Sequence, residues 1–505
     1  MFTLNTLKKL KLRSFLVSAF FLIAYILAGI LVVELLINHD SASYLAFAQL
    51  ILFDRRDYEN IYEINTPLIV YISMIPVWLS NVSGISEITL FIVMVGLLAL
   101  VSMHLCWKLS QQLCISTRQE WMAAALIVTI MLIMPTLQDS YGQREHLLII
   151  FILPYLFQLI ADLRGMPHTR RQRITTALFA AIGFAIKPHF ILIFAAAECA
   201  RALVKRNFWT LFRFEAWIIS LIFLGYHAYL IIAYRDYMLT IWPMVMASYA
   251  GYQVPLLFVA MTAIFYAAPS YFMIVYAIRK GVAGSILFLL GSVVVASALV
   301  FMAPMTNYIY QALPLIVMQC LLGGIVYLQL NKVLHGCIWI MAWSFLSIGN
   351  LSFESTQRRN DLAQKIEEHA NHQTIAIISS STSGGFPITN YGGAYWGLSL
   401  PYMIHLPLAY ADSRGNNDYP AYHTRDEMDK LEQFFTDRTL DDLEKLPVLV
   451  IFDEREEKQA FTNMKFNFLD YFQKQERFRA LWKDYRYIGT LHDFAFYKYE
   501  QAAKP

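Results

Sequence analysis

Apolar runs of about twenty residues recur from residue 15 to residue 350, each closed by a short polar or charged stretch. A helix needs about 20 apolar residues to cross some 30 Å of hydrocarbon. Eleven runs are read as spans, two of them short, at about 15–37, 86–107, 120–136, 147–163, 174–187, 190–204, 214–233, 254–278, 283–303, 312–330 and 334–350. They predict an α-helical polytopic membrane protein. A twelfth run, Pro67–Ser80, is short, opens on Pro67 and contains Pro76. It predicts a re-entrant or surface-lying helix. From residue 352 the pattern changes, and charges become frequent. There "TIAIISS" (374–380) and "PVLVIFD" (447–453) predict buried strands, and "YRYIGTLHDFAFYKY" (485–499) a closing hairpin. "FESTQRRNDLAQKIEEHAN" and "RDEMDKLEQFFTDR" predict surface helices. Two domains follow: a transmembrane domain over 1–351 and a small α/β domain over 352–505, which is long enough to fold alone.

Short basic loops stay on the cytoplasmic side, so Lys and Arg flanks orient the spans. Lys8, Lys9, Lys11 and Arg13 precede the first run, placing the N-terminus inside and Asp40 outside. If 67–80 crossed fully, the arginine-rich loop "RGMPHTRRQR" (164–173) would lie outside. A run that dips and returns keeps the rule at each short inner loop. Residues 352–505 are then extracytoplasmic. The two short runs flanking Lys187 are open to a second description, as one kinked helix.

Hydrophobic residues make up 57% of the 505, too much apolar surface for a soluble chain of this length to hide. The net charge of +3 and the lack of a basic-aromatic cluster argue against a nucleic-acid partner. Cys106, Cys114, Cys199, Cys320 and Cys337 lie in or beside apolar runs without metal-ligand spacing, so neither a disulfide framework nor a zinc site is expected. P-loop and nucleophile-elbow patterns are missing, and "SGGF" and "YGGAYWG" lack nucleotide-binding spacing.

Ionisable groups at membrane depth are costly and mark functional sites by default. The expected outer face collects most of the costly polar groups: His39 and Asp40; Arg55, Arg56 and Asp57; Asn65; Asp139, Gln143, Arg144, Glu145 and His146; Lys187 and His189; and Asn307 with Tyr308. Each has a plainer explanation. Asn38-His39-Asp40 resembles an ordinary polar stop, and "DRRD" (54–57) a solvated charge cluster. In "YGQREHLLII", Asp139 or Ser140 would cap a helix and Glu145 would suit its dipole, yet Arg144 sits poorly at a helix N-terminus. A phosphate clamp explains Arg144 better, with Glu145 and His146 positioning it or binding an ion. In "FAIKPHFILIF", Pro188 breaks the helix between Lys187 and His189, making a corner suited to phosphate where the alternative is a snorkelling lysine. Asn65-Thr66-Pro67 opens the short dipping helix.

Taken in order, "NHDSASYLAFA", "INTPLIVY", "YGQREHL" and "FAIKPHF" resemble the GT-C glycosyltransferases, polytopic membrane enzymes that include the protein O-mannosyltransferases and the lipid A aminoarabinose transferases. Within them the resemblance is strongest to a bacterial group carrying GQREH and KPHF signatures. It covers roughly residues 15–330, specifically at those four motifs and loosely between them. The resemblance implies a GT-C-like fold in the bacterial cytoplasmic (inner) membrane. It also implies a polyprenyl-phosphate-linked sugar donor, a glycan, lipid or protein acceptor, and transfer at the outer face. Asp40 matches the first-loop acid that acts as general base, and Arg144 and Lys187 match positions near the donor phosphate, with His189 beside them. His39, Asn65, Gln143, Glu145 and His146 would support the site. His39 stands where a second acid would complete the mannosyltransferase pattern, which puts a two-acid scheme in doubt. "NYIYQALP" matches the late outer-loop motif only approximately. No protein metal site is expected; a divalent cation is left open. Competing classes are a transporter or flippase of lipid-linked glycans, a surface-glycan polymerase or ligase, and a structural assembly subunit. A transporter would carry polar groups across the membrane, whereas the inner halves of these helices look apolar.

Overall fold

The computed structural model describes residues 4–35, 37–54, 58–249, 252–348, 354–410, 419–454 and 465–500. The cluster Arg55, Arg56 and Asp57 lies outside the described residues. A helix forms at each of the eleven predicted runs. In chain order the helices are α1 (Leu4–Leu35), α2 (His39–Leu52), α3 (Leu68–Ser83), α4 (Glu87–Ser110), α5 (Thr117–Val128), α6 (Met134–Leu137), α7 (Arg144–Leu163) and α8 (Arg170–Ala185). Then follow α9 (Ile191–Lys205), α10 (Phe214–Ala233), α11 (Trp242–Tyr249), α12 (Leu256–Arg279), α13 (Gly284–Met302), α14 (Leu313–Gln329) and α15 (Val333–Leu346). Among the described residues, eight spans are long and apolar enough to cross a membrane, with α5, a π turn and α6 together making one of them. The π turn Thr129–Ile133 falls just before Pro135, whose missing N–H interrupts the regular ladder.

Helices α8 and α9 have 16 and 15 residues, about 24 Å each at 1.5 Å per residue. They are two helices, joined by the 3₁₀ turn Pro188–Phe190. Helix α3 also has 16 residues, too few to span about 30 Å upright.

Beyond residue 353 come α16 (Glu354–Ala370), β1 (Thr374–Ile378), α17 (Thr382–Gly385), α18 (Ile388–Tyr391), β2 (Tyr395–Trp396) and α19 (His405–Ala409). The chain continues with α20 (Lys430–Leu443), β3 (Leu449–Asp453), α21 (Phe468–Gln473), α22 (Glu476–Leu481), β4 (Tyr485–Leu491) and β5 (Phe494–Tyr499). The five strands form one sheet in the order β2-β1-β3-β5-β4. The first three are mutually parallel, and β5 and β4 form the antiparallel hairpin. Parallel strands covered on both faces read as unbroken apolar runs, which is why β1 and β3 are conspicuous in the sequence.

Two compact units emerge. The first comprises 1–36, 91–230 and 253–351; the second joins 37–90 and 231–252 to 352–505. In the first, α7 and α14 are buried almost along their whole length and form the core. Helices α1, α10 and α12 turn large apolar residues outward, among them Phe15, Leu224 and Phe265, as lipid-facing helices do.

Candidate active site

In the first unit the turn before α7 is built by its own neighbours. Gly142 has φ +78°, and a Cβ there would stand 2.4 Å from Phe91, so this position requires glycine. Gln143, rather than the expected Asp139 or Ser140, takes the N-cap position, with extended backbone and a side chain that does not cap. The turn is held instead by His146, whose Nδ1 accepts from the Gly142 N–H at 3.0 Å while Nε2 meets the Met131 carbonyl at 2.7 Å. Both ring nitrogens are thus committed to backbone.

Glu145, next along α7, does not serve Arg144 as a positioning partner. It accepts from Lys187 Nζ at 2.5 Å, with 2% of the acid and 9% of the lysine side chain exposed. The lysine comes from the break between α8 and α9, where Pro188 prevents the helix from running on. It also lies 5.6 Å from the Phe190 ring centre. Arg144 is buried in the same neighbourhood. Burial pushes the His189 pKa down to about 3, and the charges of Lys187 and Arg144 act in the same direction. The structure thus brings Arg144, Lys187 and His189 into one electrostatic cluster, with Glu145 paired to Lys187.

In the second unit Asn38 caps α2, its side-chain oxygen accepting from the Asp40 N–H at 2.9 Å. Asp40 occupies the first turn, where the helix dipole favours a carboxylate. Its side chain is 18% exposed, and His39 Nε2 lies 3.5 Å from its Oδ1. The stretch before α3 is gripped by aromatic donors. Tyr58 Oη donates to the Asn65 carbonyl at 2.5 Å and Trp242 Nε1 to the Ile64 carbonyl at 3.1 Å, while Tyr237 Oη donates to the Glu63 carbonyl. Asn65 gives its backbone N–H to Glu63 Oε1 at 3.2 Å, and its side-chain amide donates to the same oxygen. Glu63 is buried at 5% exposure and does not stand out in the sequence. Its spacing two residues before Asn65 is the available signal.

A second polar cluster in the first unit runs against the sequence reading, in which the inner halves of the helices look apolar. Arg213 meets Glu198 at 2.5 Å, Asp162 at 3.2 Å and Glu215 at 3.6 Å. Arg173 joins Glu215 at 2.9 Å and Arg201 joins Asp162 at 3.6 Å, and Tyr155 bonds Glu198. Mutual pairing is what makes such burial tolerable. Between Tyr155 and His146, every α7 residue from Leu147 to Pro154 is apolar and buried, a gap of about 12 Å at 1.5 Å per residue. Among the described residues no group of three or more His, Cys, Asp or Glu stands ready to hold a metal ion.

No protein-family model matches the chain, and no curated protein does. Among solved structures, the chain is similar to ArnT from Cupriavidus metallidurans bound to undecaprenyl phosphate, at 12% identity over 96% of this chain and 99% of that one, with a TM-score of 0.48. It is also similar to the same protein in the apo state, at 12% identity over 95% and 97% of the two chains, with a TM-score of 0.49.

Proposed function

We propose that the protein is a GT-C-type membrane glycosyltransferase. It would move a sugar from a polyprenyl-phosphate-linked donor to a hydroxyl acceptor at the outer face of the cytoplasmic membrane. The observation that carries this is the cluster of Arg144, Lys187 and His189: two buried cations from distant parts of the chain lie beside one imidazole, side chains of the kind that bind phosphate. Lipid-borne phosphate chemistry also fits a chain with no nucleotide-binding loop.

In this scheme Arg144 and Lys187 offset the charge that grows on the departing phosphate. Glu145 orients Lys187 by accepting from its ammonium. His189 stays neutral and serves as a hydrogen-bonding group. Asp40 is the proposed base, on its match to the first-loop acid. Asp40 takes the proton of the acceptor hydroxyl as its oxygen bonds to the anomeric carbon, and the bond from that carbon to the phosphate oxygen breaks. One base and one in-line displacement invert the anomeric centre.

The test is transfer from polyprenyl-phosphate sugars in membranes containing the wild type or Asp40→Asn. Loss of transfer in the variant, with retained binding of polyprenyl phosphate, supports the assignment. Equal transfer in both removes it.

A further inference from the structure

We infer that the extracytoplasmic domain positions the Asp40 helix, and that Asn390 is the positioning residue. This rests on the assignment of Asp40 as the base. Within the second unit, α2 is gripped from the segment Phe386–Tyr391. The Asn390 side-chain amide donates to the Ala42 carbonyl at 3.2 Å and to Glu87 Oε1 at 2.9 Å. The other Glu87 oxygen accepts from Gln49 Nε2 at 2.5 Å. Asn390 therefore reaches α2 twice: directly two residues after Asp40, and through Glu87 nearly two turns further along. Two attachments so spaced set both the rotation of the helix and the direction of its axis.

Two more contacts complete the grip. The Ile37 N–H donates to Tyr391 Oη at 3.4 Å, just before the Asn38 cap. Phe47 meets the Phe386 ring edge-on, with centres 6.4 Å apart. Asparagine suits this position because one amide nitrogen carries two N–H donors, and both acceptors, a carbonyl and a carboxylate, need donors. Aspartate at 390 would set a second carboxylate against Glu87, and alanine would remove both bonds. The attachment points on α2 are Ala42 and Gln49, both C-terminal to Asp40 and neither the base itself, so Asn390 acts through the helix. A general base must lie within hydrogen-bond reach of the proton it takes, and a displacement near 1 Å is enough to lose most of its effect.

The experiment uses the full chain in lipid nanodiscs and compares wild type, Asn390→Ala and Asp40→Asn. It measures amide exchange in α2 and α7, and kcat and KM with a polyprenyl-phosphate sugar. For Asn390→Ala we expect faster exchange confined to α2. Its kcat should fall about 30-fold or more with donor KM within about twofold, because the phosphate-holding groups are elsewhere in the chain. Wild-type kcat in Asn390→Ala beside an inactive Asp40→Asn overturns the positioning role and leaves the base intact. An active Asp40→Asn overturns the base, and the positioning role with it. A rise in KM with unchanged kcat also overturns it. Should Asn390→Ala fail to fold, Tyr391→Phe removes a single hydroxyl; a lower kcat at unchanged KM supports the grip, and wild-type values overturn it.

Discussion

Replacing Lys187 by Met separates what its ion pair does for the fold from what the ammonium does for phosphate. Glu145 is 2% exposed and meets Lys187 at 2.5 Å, so the variant strands a carboxylate in a dry site. Removing one partner of such a pair typically costs about 3–5 kcal/mol, most of it the penalty of the uncompensated charge. Glu145→Gln added to Lys187→Met removes that charge and should recover most of the loss. Phosphate affinity should not recover. A charge-assisted hydrogen bond contributes about 1.5–3 kcal/mol, so both variants should bind polyprenyl phosphate roughly 10- to 150-fold more weakly than the wild type. Denaturant unfolding in mixed micelles gives the stability, and equilibrium binding of polyprenyl phosphate gives the affinity. A loss below about 1 kcal/mol in the single variant would refute the buried-pair argument. Wild-type phosphate affinity in the double variant would refute the donor-site argument.

Two further variants probe other parts of the first unit. Arg213→Met leaves Glu198, Asp162 and Glu215 short of a shared cation, and should destabilise by about 3–5 kcal/mol while polyprenyl-phosphate affinity stays as in the wild type. Unchanged unfolding, or lost affinity in the folded protein, would contradict this. His189 is held neutral down to about pH 3, whereas an unfolded histidine protonates near 6.5. The unfolded chain therefore binds the extra proton between those values, and stability is lost as pH falls through 6.5. By pH 5 the deficit is about 2 kcal/mol, so His189→Gln should show a decline from pH 7 to 5 smaller by that amount. Parallel declines in the two proteins would remove the effect.

The helices are legible in the sequence because hydrocarbon demands long apolar runs: each of the eleven runs forms a helix, and among the described residues eight spans are long and apolar enough to cross a membrane, whereas α8, α9 and α15 are shorter. The parallel strands are legible because burial on both faces leaves no polar alternation. Partnerships are harder to read. Glu145 is expected to serve Arg144, its neighbour in sequence, but pairs with Lys187 because the break at Pro188 returns that side chain to the start of α7. His146 suggests an ion ligand, and its ring instead closes the turn at Gly142. Glu198 and Glu215 sit in or beside apolar helices, which is signal enough to mark them, yet nothing in their spacing points to Arg213. Asn390 lies more than 300 positions from Glu87 and Ala42, and only the fold reveals the bond.

The central measurement is sugar transfer by the wild type and Asp40→Asn, with polyprenyl-phosphate binding followed on the same samples. Retained binding with transfer reduced at least about 100-fold is the predicted outcome, within the range for losing a general base. Undiminished transfer by Asp40→Asn would contradict it.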